Sequence, residues 1–191
     1  LGLKRLNAKD LVAELRRHED VAVGYLSRSS FAQATLAAVG VDRMADVDDS
    51  TRDVLNSVFD VHDATRTGRA STLALAGAMS VFCDHNGDAA CSAFFPVCGY
   101  ADAEEAAEGS VRDFVLAVFR MQAAMQSCAY SVHELDAAAA LMATILCRGR
   151  GDVTRDSFRT LFDAGAYRRR ELPRPGDNTR YTAPLTPSAP A

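Results

Sequence analysis

The stretch Asp63-Ala-Thr-Arg-Thr-Gly-Arg-Ala70 separates two segments whose apolar residues follow helical spacing. Inside the stretch, a glycine stands two positions before a lone apolar residue. The same arrangement recurs along the chain at intervals of about 40 residues, which is typical of a repeated helix–loop–helix unit. The four glycine and apolar pairs are Gly24 with Leu26, Gly68 with Ala70, Gly109 with Val111, and Gly151 with Val153.

This repeat resembles the EF-hand superfamily over residues 7–165. In the twelve-residue EF-hand loop, glycine at position 6 allows the sharp turn, and position 8 holds the apolar residue that pairs two loops in a short ribbon. The resemblance implies an all-α, calmodulin-like fold with four units in two paired lobes and an extended C-terminal tail. The pairing residues are then Leu26 with Ala70, and Val111 with Val153.

The implied division places one pair of hands in residues 7–84, a second pair in residues 88–167, and the tail in residues 168–191. Residues 58–83 are most similar to the calcium-free hands of the dystrophin and dystrobrevin type. The third unit departs from the pattern, because Pro96 and Gly99 interrupt the helix that leads into its loop. We therefore expect that helix to be short, broken or shifted.

The ligand positions argue against calcium. A calcium loop needs a bidentate glutamate at position 12, whereas the four loops place Ser30, Ala74, Val115 and Ser157 there. The fourth loop also puts the guanidinium groups of Arg148 and Arg150 where a dication would sit, which Coulomb repulsion disfavours. We expect no metal and no cofactor. The residual candidates for a weak calcium site are Asp63, Thr65, Thr67 and Ser71.

The sequence gives little support for a zinc site or for catalysis. The gaps among Cys83, His85, Cys91 and Cys98 lack the close cysteine pair of structural zinc sites. No nucleophile elbow, phosphate loop or paired-acid pattern is present, although a cysteine–histidine pair brought together by the fold stays open. We expect a protein that is not an enzyme.

Composition narrows the class of partner and the location. The net charge of −4 favours neither nucleic acid nor an anionic membrane. Five cysteines, an odd number at irregular spacing, indicate free thiols in a reducing compartment. These observations predict a cytoplasmic protein whose partners are other proteins.

The tail has its own composition. Five of the six prolines lie after Tyr167, behind the basic run Arg168, Arg169 and Arg170. Such a segment buries too little apolar area to offset its ordering entropy, so we expect an extended, polyproline-like anchor for a partner.

Function is therefore expected from surfaces. The leading hypothesis is a non-catalytic, calcium-independent adaptor in a larger assembly, with cytoskeletal or ciliary assemblies suggested by the resemblance. Its partner would be an amphipathic helix or a filament surface. The alternative is a weak calcium-responsive sensor that uses the second hand. An apolar groove would accept that partner. For each single candidate residue of this groove, however, burial in the protein's own core is the favoured interpretation. The groove candidates are Phe114, Val118, Phe119, Met121, Met125, Met142, Leu161 and Phe162.

Overall fold

The computed structural model describes residues 6–19, 24–41, 47–83, 87–98, 105–126, 130–148 and 150–163. These residues are mostly helical, which confirms the coarse fold prediction. The described helices are α1 (Ala8–Arg17), α2 (Arg28–Ala38), α3 (Asp49–His62), α4 (Thr72–Ser80), α5 (Gly87–Val97), α6 (Glu108–Met125), α7 (Val132–Cys147) and α8 (Arg155–Asp163). The described strands are β1 (Tyr25–Ser27), β2 (Arg69–Ser71), β3 (Glu105–Ala107) and β4 (Asp152–Thr154).

Local hydrogen bonds determine where several helices begin. The Asn7 side chain accepts a bond of 2.8 Å from the backbone amide of Lys9 at the start of α1. Helix α7 begins with a capping box: the Ser131 hydroxyl accepts from the Glu134 amide, and the Glu134 carboxylate accepts from the Ser131 amide at 2.8 Å. Both devices satisfy amides that the first helical turn leaves unpaired.

The first ribbon has the predicted pairing. Strands β1 and β2 are antiparallel, and Leu26 lies opposite Ala70. Both side chains are buried. Gly24 and Gly68 adopt φ values of +94° and +76° just before these strands, a conformation that side chains with a Cβ rarely adopt. The glycine spacing therefore located this ribbon correctly.

The second ribbon shows that the predicted register of the third unit was wrong. Strands β3 and β4 are antiparallel, but Val153 lies opposite Ala106 rather than Val111. Helix α6 begins at Glu108, so Gly109 and Val111 are helical. Val111 faces the core instead of a ribbon. The glycine spacing pointed to Val111 because Gly109 lies two positions before it, whereas Glu104 lies two positions before Ala106.

Pro96 affects the preceding helix as predicted. Helix α5 ends at Val97, with Pro96 in its last turn. The carbonyl oxygen of Pro96 accepts a 2.6 Å hydrogen bond from the Arg16 guanidinium of α1. A cationic side chain thus satisfies one of the carbonyls that the end of α5 leaves free.

Helix α4 lies at the centre of the fold. It is buried on nearly all sides and packs most extensively on α6, with further contacts to α5, α1 and α3. Buried side chains from both halves of the chain form one cluster. The predicted division into two pairs of units, residues 7–84 and 88–167, stays a prediction. The described residues of the two halves share one core.

Four of the buried phenylalanines form an aromatic cluster within that core. Phe94 stacks on Phe158 with ring centroids 4.5 Å apart, and Phe114 meets Phe94 edge-on at 5.2 Å. Phe95 contacts both Phe94 and Phe158. These contacts join α5, α6 and α8, and such ring pairs contribute beyond their buried area.

Gly77 allows α4 and α6 to cross closely. A Cβ atom at Gly77 would lie 2.9 Å from the Phe114 carbonyl oxygen and 3.1 Å from the Ala117 Cβ. We expect Gly77→Ala to destabilise the fold by about 1–2 kcal/mol, because overpacking outweighs the better helix propensity of alanine. Urea unfolding followed by circular dichroism measures the change.

Gly109→Ala is the matched control, because it is also in a helix and a Cβ there meets nothing within 4 Å. It should be neutral or stabilise the fold by up to about 1 kcal/mol. Equal effects of the two substitutions would contradict the packing of α4 on α6.

Candidate functional site

The loop between α3 and α4 holds the four residual calcium candidates. Asp63 is buried at its start, whereas Thr65 and Thr67 are exposed and Ser71 is half-buried at the end of β2. The structure thus brings all four residues into one loop. Asp63 is the only carboxylate among them, and a calcium site normally uses several.

Hydrogen bonds within the loop satisfy the Asp63 carboxylate. One oxygen accepts from the Thr67 amide at 2.9 Å and from its hydroxyl at 3.2 Å, and the other accepts from the Gly68 amide at 2.8 Å. Burial opposes ionisation of Asp63, but the bonds from Gly68 and Thr67 outweigh it and lower the pKa of Asp63. Donors within the loop therefore stabilise the negative charge of Asp63.

Arg28 ties the first unit to the second near this loop. It follows β1, forms an ion pair with Asp60 of α3, and lies 4.7 Å from the centroid of the Phe59 ring. The ion pair is partly exposed, so its contribution to stability is small. The stacking over Phe59 nevertheless fixes where the guanidinium lies.

The other loops offer no better cation site among their described residues. Arg148 and Arg150 both lie exposed between α7 and β4. In the third unit, Glu108 and Arg112 lie in α6, and Nη2 of Arg112 donates to both carboxylate oxygens of Asp136 of α7 at 2.7 and 2.8 Å. The described residues contain no group of three or more histidine, cysteine or acidic side chains arranged to hold a metal.

The described cysteines lie in or beside the core. The thiols of Cys83 and Cys91 donate to the carbonyl oxygens of Met79 and Arg155. Burial raises the pKa of the Cys98 thiol to about 12 and that of Cys147 to about 11. A raised pKa disfavours the thiolate that nucleophilic attack and metal binding require. His85, the histidine of the predicted zinc alternative, lies outside the described residues.

The predicted groove is largely core. Phe114, Val118, Phe119 and Met121 are buried, which agrees with the core alternative for these residues. Met142 is half-buried, and Met125 is 55% exposed at the end of α6. The side chains of Leu161 and Phe162 lie outside the described part of the structure, as does the predicted tail anchor Arg168, Arg169 and Arg170.

An exposed apolar stripe on α7 was missed by the sequence reasoning. Leu141 and Ile145 lie one turn apart and are 45% and 51% exposed. Helix α7 is apolar on several faces, so periodicity alone did not distinguish the buried face from the exposed one. The sequence signal for this stripe is the i, i+4 spacing of Leu141 and Ile145, which places two large aliphatic side chains on one face of the helix.

His62 is a buried histidine at the end of α3. Its side chain is 7% exposed, and neither ring nitrogen has a hydrogen-bond partner among the described residues. Burial and the positive charge of Arg120 lower the pKa of His62 to about 4. The imidazole is therefore neutral in the folded protein at neutral pH.

Comparisons with known protein families, with curated proteins and with solved structures found no match. None of the described helices combines the length and the apolar character that crossing a membrane requires.

The low pKa of His62 predicts a loss of stability in mild acid. Unfolding returns the pKa to about 6.5, so the unfolded chain binds the proton first. The contribution of His62 should be complete above pH 6.5 and fall by about 3 kcal/mol between pH 6.5 and pH 4. His62→Leu should reduce the pH dependence by that amount, as measured by urea unfolding at several pH values.

Thr72→Val is the control for this experiment. Its hydroxyl is also buried without a partner among the described residues, but the side chain does not titrate. Its effect on the free energy of unfolding should be the same at every pH. An unchanged pH dependence in His62→Leu would show that His62 is hydrated or hydrogen-bonded in solution.

Proposed function

We propose that this chain is a non-catalytic adaptor built from four degenerate, EF-hand-like units, held in one state by packing rather than switched by calcium. The observation that carries the proposal is the Asp63 loop. Its carboxylate is satisfied by the Thr67 and Gly68 amides within hydrogen-bond distance. The turn thus has an internal support that does not depend on a cation.

The two ribbons support the assignment of paired units. Each antiparallel pair joins a strand before one helix to a strand before another, at Leu26 with Ala70 and at Ala106 with Val153. Paired EF-hand loops are similar in this respect. With Ala106 as the third member, the positions of the four ribbon residues support a proposed division into four helix–loop–helix units.

The close packing of α4 on α6 supports a fixed state. A switch requires two arrangements of similar free energy, whereas the two helices cross so closely at Gly77 that a Cβ atom there would lie 2.9 Å from the Phe114 carbonyl oxygen. The shared core couples the two halves. Such a protein serves as a rigid surface for other proteins.

We place the adaptor in the cytoplasm, within a cytoskeletal or ciliary assembly. Its partner is an amphipathic helix or a filament surface, and the basic run Arg168, Arg169 and Arg170 with the following prolines acts as the anchor. A preorganised, proline-rich segment loses less entropy on docking than a flexible one. The net charge of −4 agrees with a protein partner rather than nucleic acid.

A weak calcium sensor is the second candidate. It is favoured by one observation: the Thr67 hydroxyl lies 3.2 Å from the Asp63 carboxylate and 3.4 Å from the Thr65 hydroxyl, in the loop that ends at Ser71. One carboxylate with three hydroxyls would bind outside the sensor range of about 10⁻⁷–10⁻⁵ M.

Calcium titration distinguishes the two functions. We expect no binding heat and no change in melting temperature at about 1 mM calcium, since a ligand stabilises only through its affinity for the folded state. Asp63→Asn should lower the melting temperature equally with and without calcium, because it replaces one of the two acceptor oxygens by an NH₂ donor that faces a loop amide.

Asp60→Asn is the matched control, because it removes a nearby exposed carboxylate outside the loop. It should have little effect on the melting temperature. A melting temperature that rises with calcium in the wild type and in Asp60→Asn, but not in Asp63→Asn, would favour the sensor.

Truncation tests the anchor. A chain ending at residue 167 should melt like the full chain but leave the cytoskeletal fraction in a sedimentation experiment with cell extract. Full-length protein with Arg168, Arg169 and Arg170 all changed to Gln separates the basic run from the proline segment. Equal sedimentation of all three forms would contradict the anchor, and failure of the truncated chain to fold would make the tail part of the domain.

A further inference from the structure

Helix α7 carries an apolar stripe on the face that points away from α6. It packs inward through Leu135, Ala139 and Ala143, which are buried. On the opposite side, Leu141 and Ile145 expose 45% and 51% of their surface. The described elements that pack most closely on α7 are α6, β4 and α8, and they leave this stripe open.

The stripe has the spacing of a helix–helix seam. Glu134, Ala138, Leu141, Ile145 and Arg148 follow one another at alternating steps of four and three residues. This is the heptad spacing that keeps one side of a helix facing a partner helix. The seam has an apolar centre, an acidic residue at its beginning and a basic residue at its end.

The charges suit an antiparallel partner of the same sequence. Glu134 and Arg148 are both exposed, and each lies seven residues from Leu141. If two copies of α7 cross antiparallel with Leu141 at the twofold axis, Glu134 of each copy comes beside Arg148 of the other. The opposed helix dipoles favour the same orientation.

The sizes of the side chains also match in that register. Ile145 of one copy lies opposite Ala137 of the second copy, with Ala138 beside it. A large side chain thus meets small ones on both sides of the axis, and Leu141 meets its own copy. Interdigitation of large and small residues is what a well-packed helix interface requires.

We propose that a second copy of this chain docks on the α7 stripe, forming an antiparallel, twofold symmetric dimer. The proposal is independent of the adaptor function, and it identifies the kind of partner from the self-complementarity of the stripe. Because the contact uses one face of one helix, its area is small for a stable interface, and we expect dissociation constants of about 10–100 µM.

Sedimentation equilibrium of the full chain between about 1 µM and 1 mM tests the association. Wild type should convert from monomer to dimer in this range. Leu141→Glu should abolish the dimer without changing the circular dichroism, since the residue is exposed. Val54→Glu, at a 36% exposed apolar residue of α3, is the control and should dimerise like wild type.

Charge exchange tests the orientation. Arg148→Glu and Glu134→Arg each replace two attractive contacts by two repulsive ones in an antiparallel dimer, and should each weaken self-association by about tenfold or more. Because Glu134→Arg also removes the capping box with Ser131, its circular dichroism is compared with that of wild type. An equimolar mixture of the two variants should form a heterodimer with nearly wild-type affinity. In a parallel dimer, Glu134 would face Glu134 and Arg148 would face Arg148. Each single substitution would then replace one pair of like charges by another pair of like charges.

Three outcomes would contradict parts of the proposal. Wild type that stays monomeric over the whole range would overturn the proposal and leave the stripe to another protein or to residues 164–191 of the same chain. Dimerisation that survives Leu141→Glu would place the interface elsewhere. Single charge variants that associate like wild type, or a mixture without rescue, would overturn the antiparallel arrangement.

Discussion

The close crossing of α4 and α6 at Gly77 is the constraint on which the rest of the structure depends. It brings the α4 backbone against the Phe114 carbonyl and the Ala117 side chain. Helix α6 then presents Phe114 to Phe94 and Phe158, and Arg120 approaches His62 of α3. One short interhelical distance therefore connects the aromatic cluster, the buried histidine and the two halves of the chain.

The Asp63 loop keeps its turn through hydrogen bonds within the protein. At Asp63 the carboxylate orders the loop by accepting from its amides, and those bonds outweigh the effect of burial on its pKa. In the fourth loop, Arg148 and Arg150 place positive charge beside the turn. The Asp63 loop therefore holds its shape through bonds that the protein itself supplies.

The apolar residues divide into two populations that carry different roles. Phe114, Val118 and their neighbours are buried and stabilise the fold. Leu141 and Ile145 remain about half exposed on α7 in the described part of the chain. Exposed aliphatic side chains that follow a heptad seam, with opposite charges at its two ends, have the form expected of an interface.

The sequence by itself determined the helical content, the first ribbon and the residues of the Asp63 loop. These features are local: a glycine with positive φ, a following apolar residue and flanking helical spacing are enough to define them. The register of the second ribbon required tertiary structure, because Ala106 and Val111 are both plausible apolar positions and only the start of α6 at Glu108 separates them. The close approach at Gly77, the burial of His62 and the exposed face of α7 also required it. Each depends on which helix lies against which, and helices with apolar residues on several faces do not encode that choice in their periodicity.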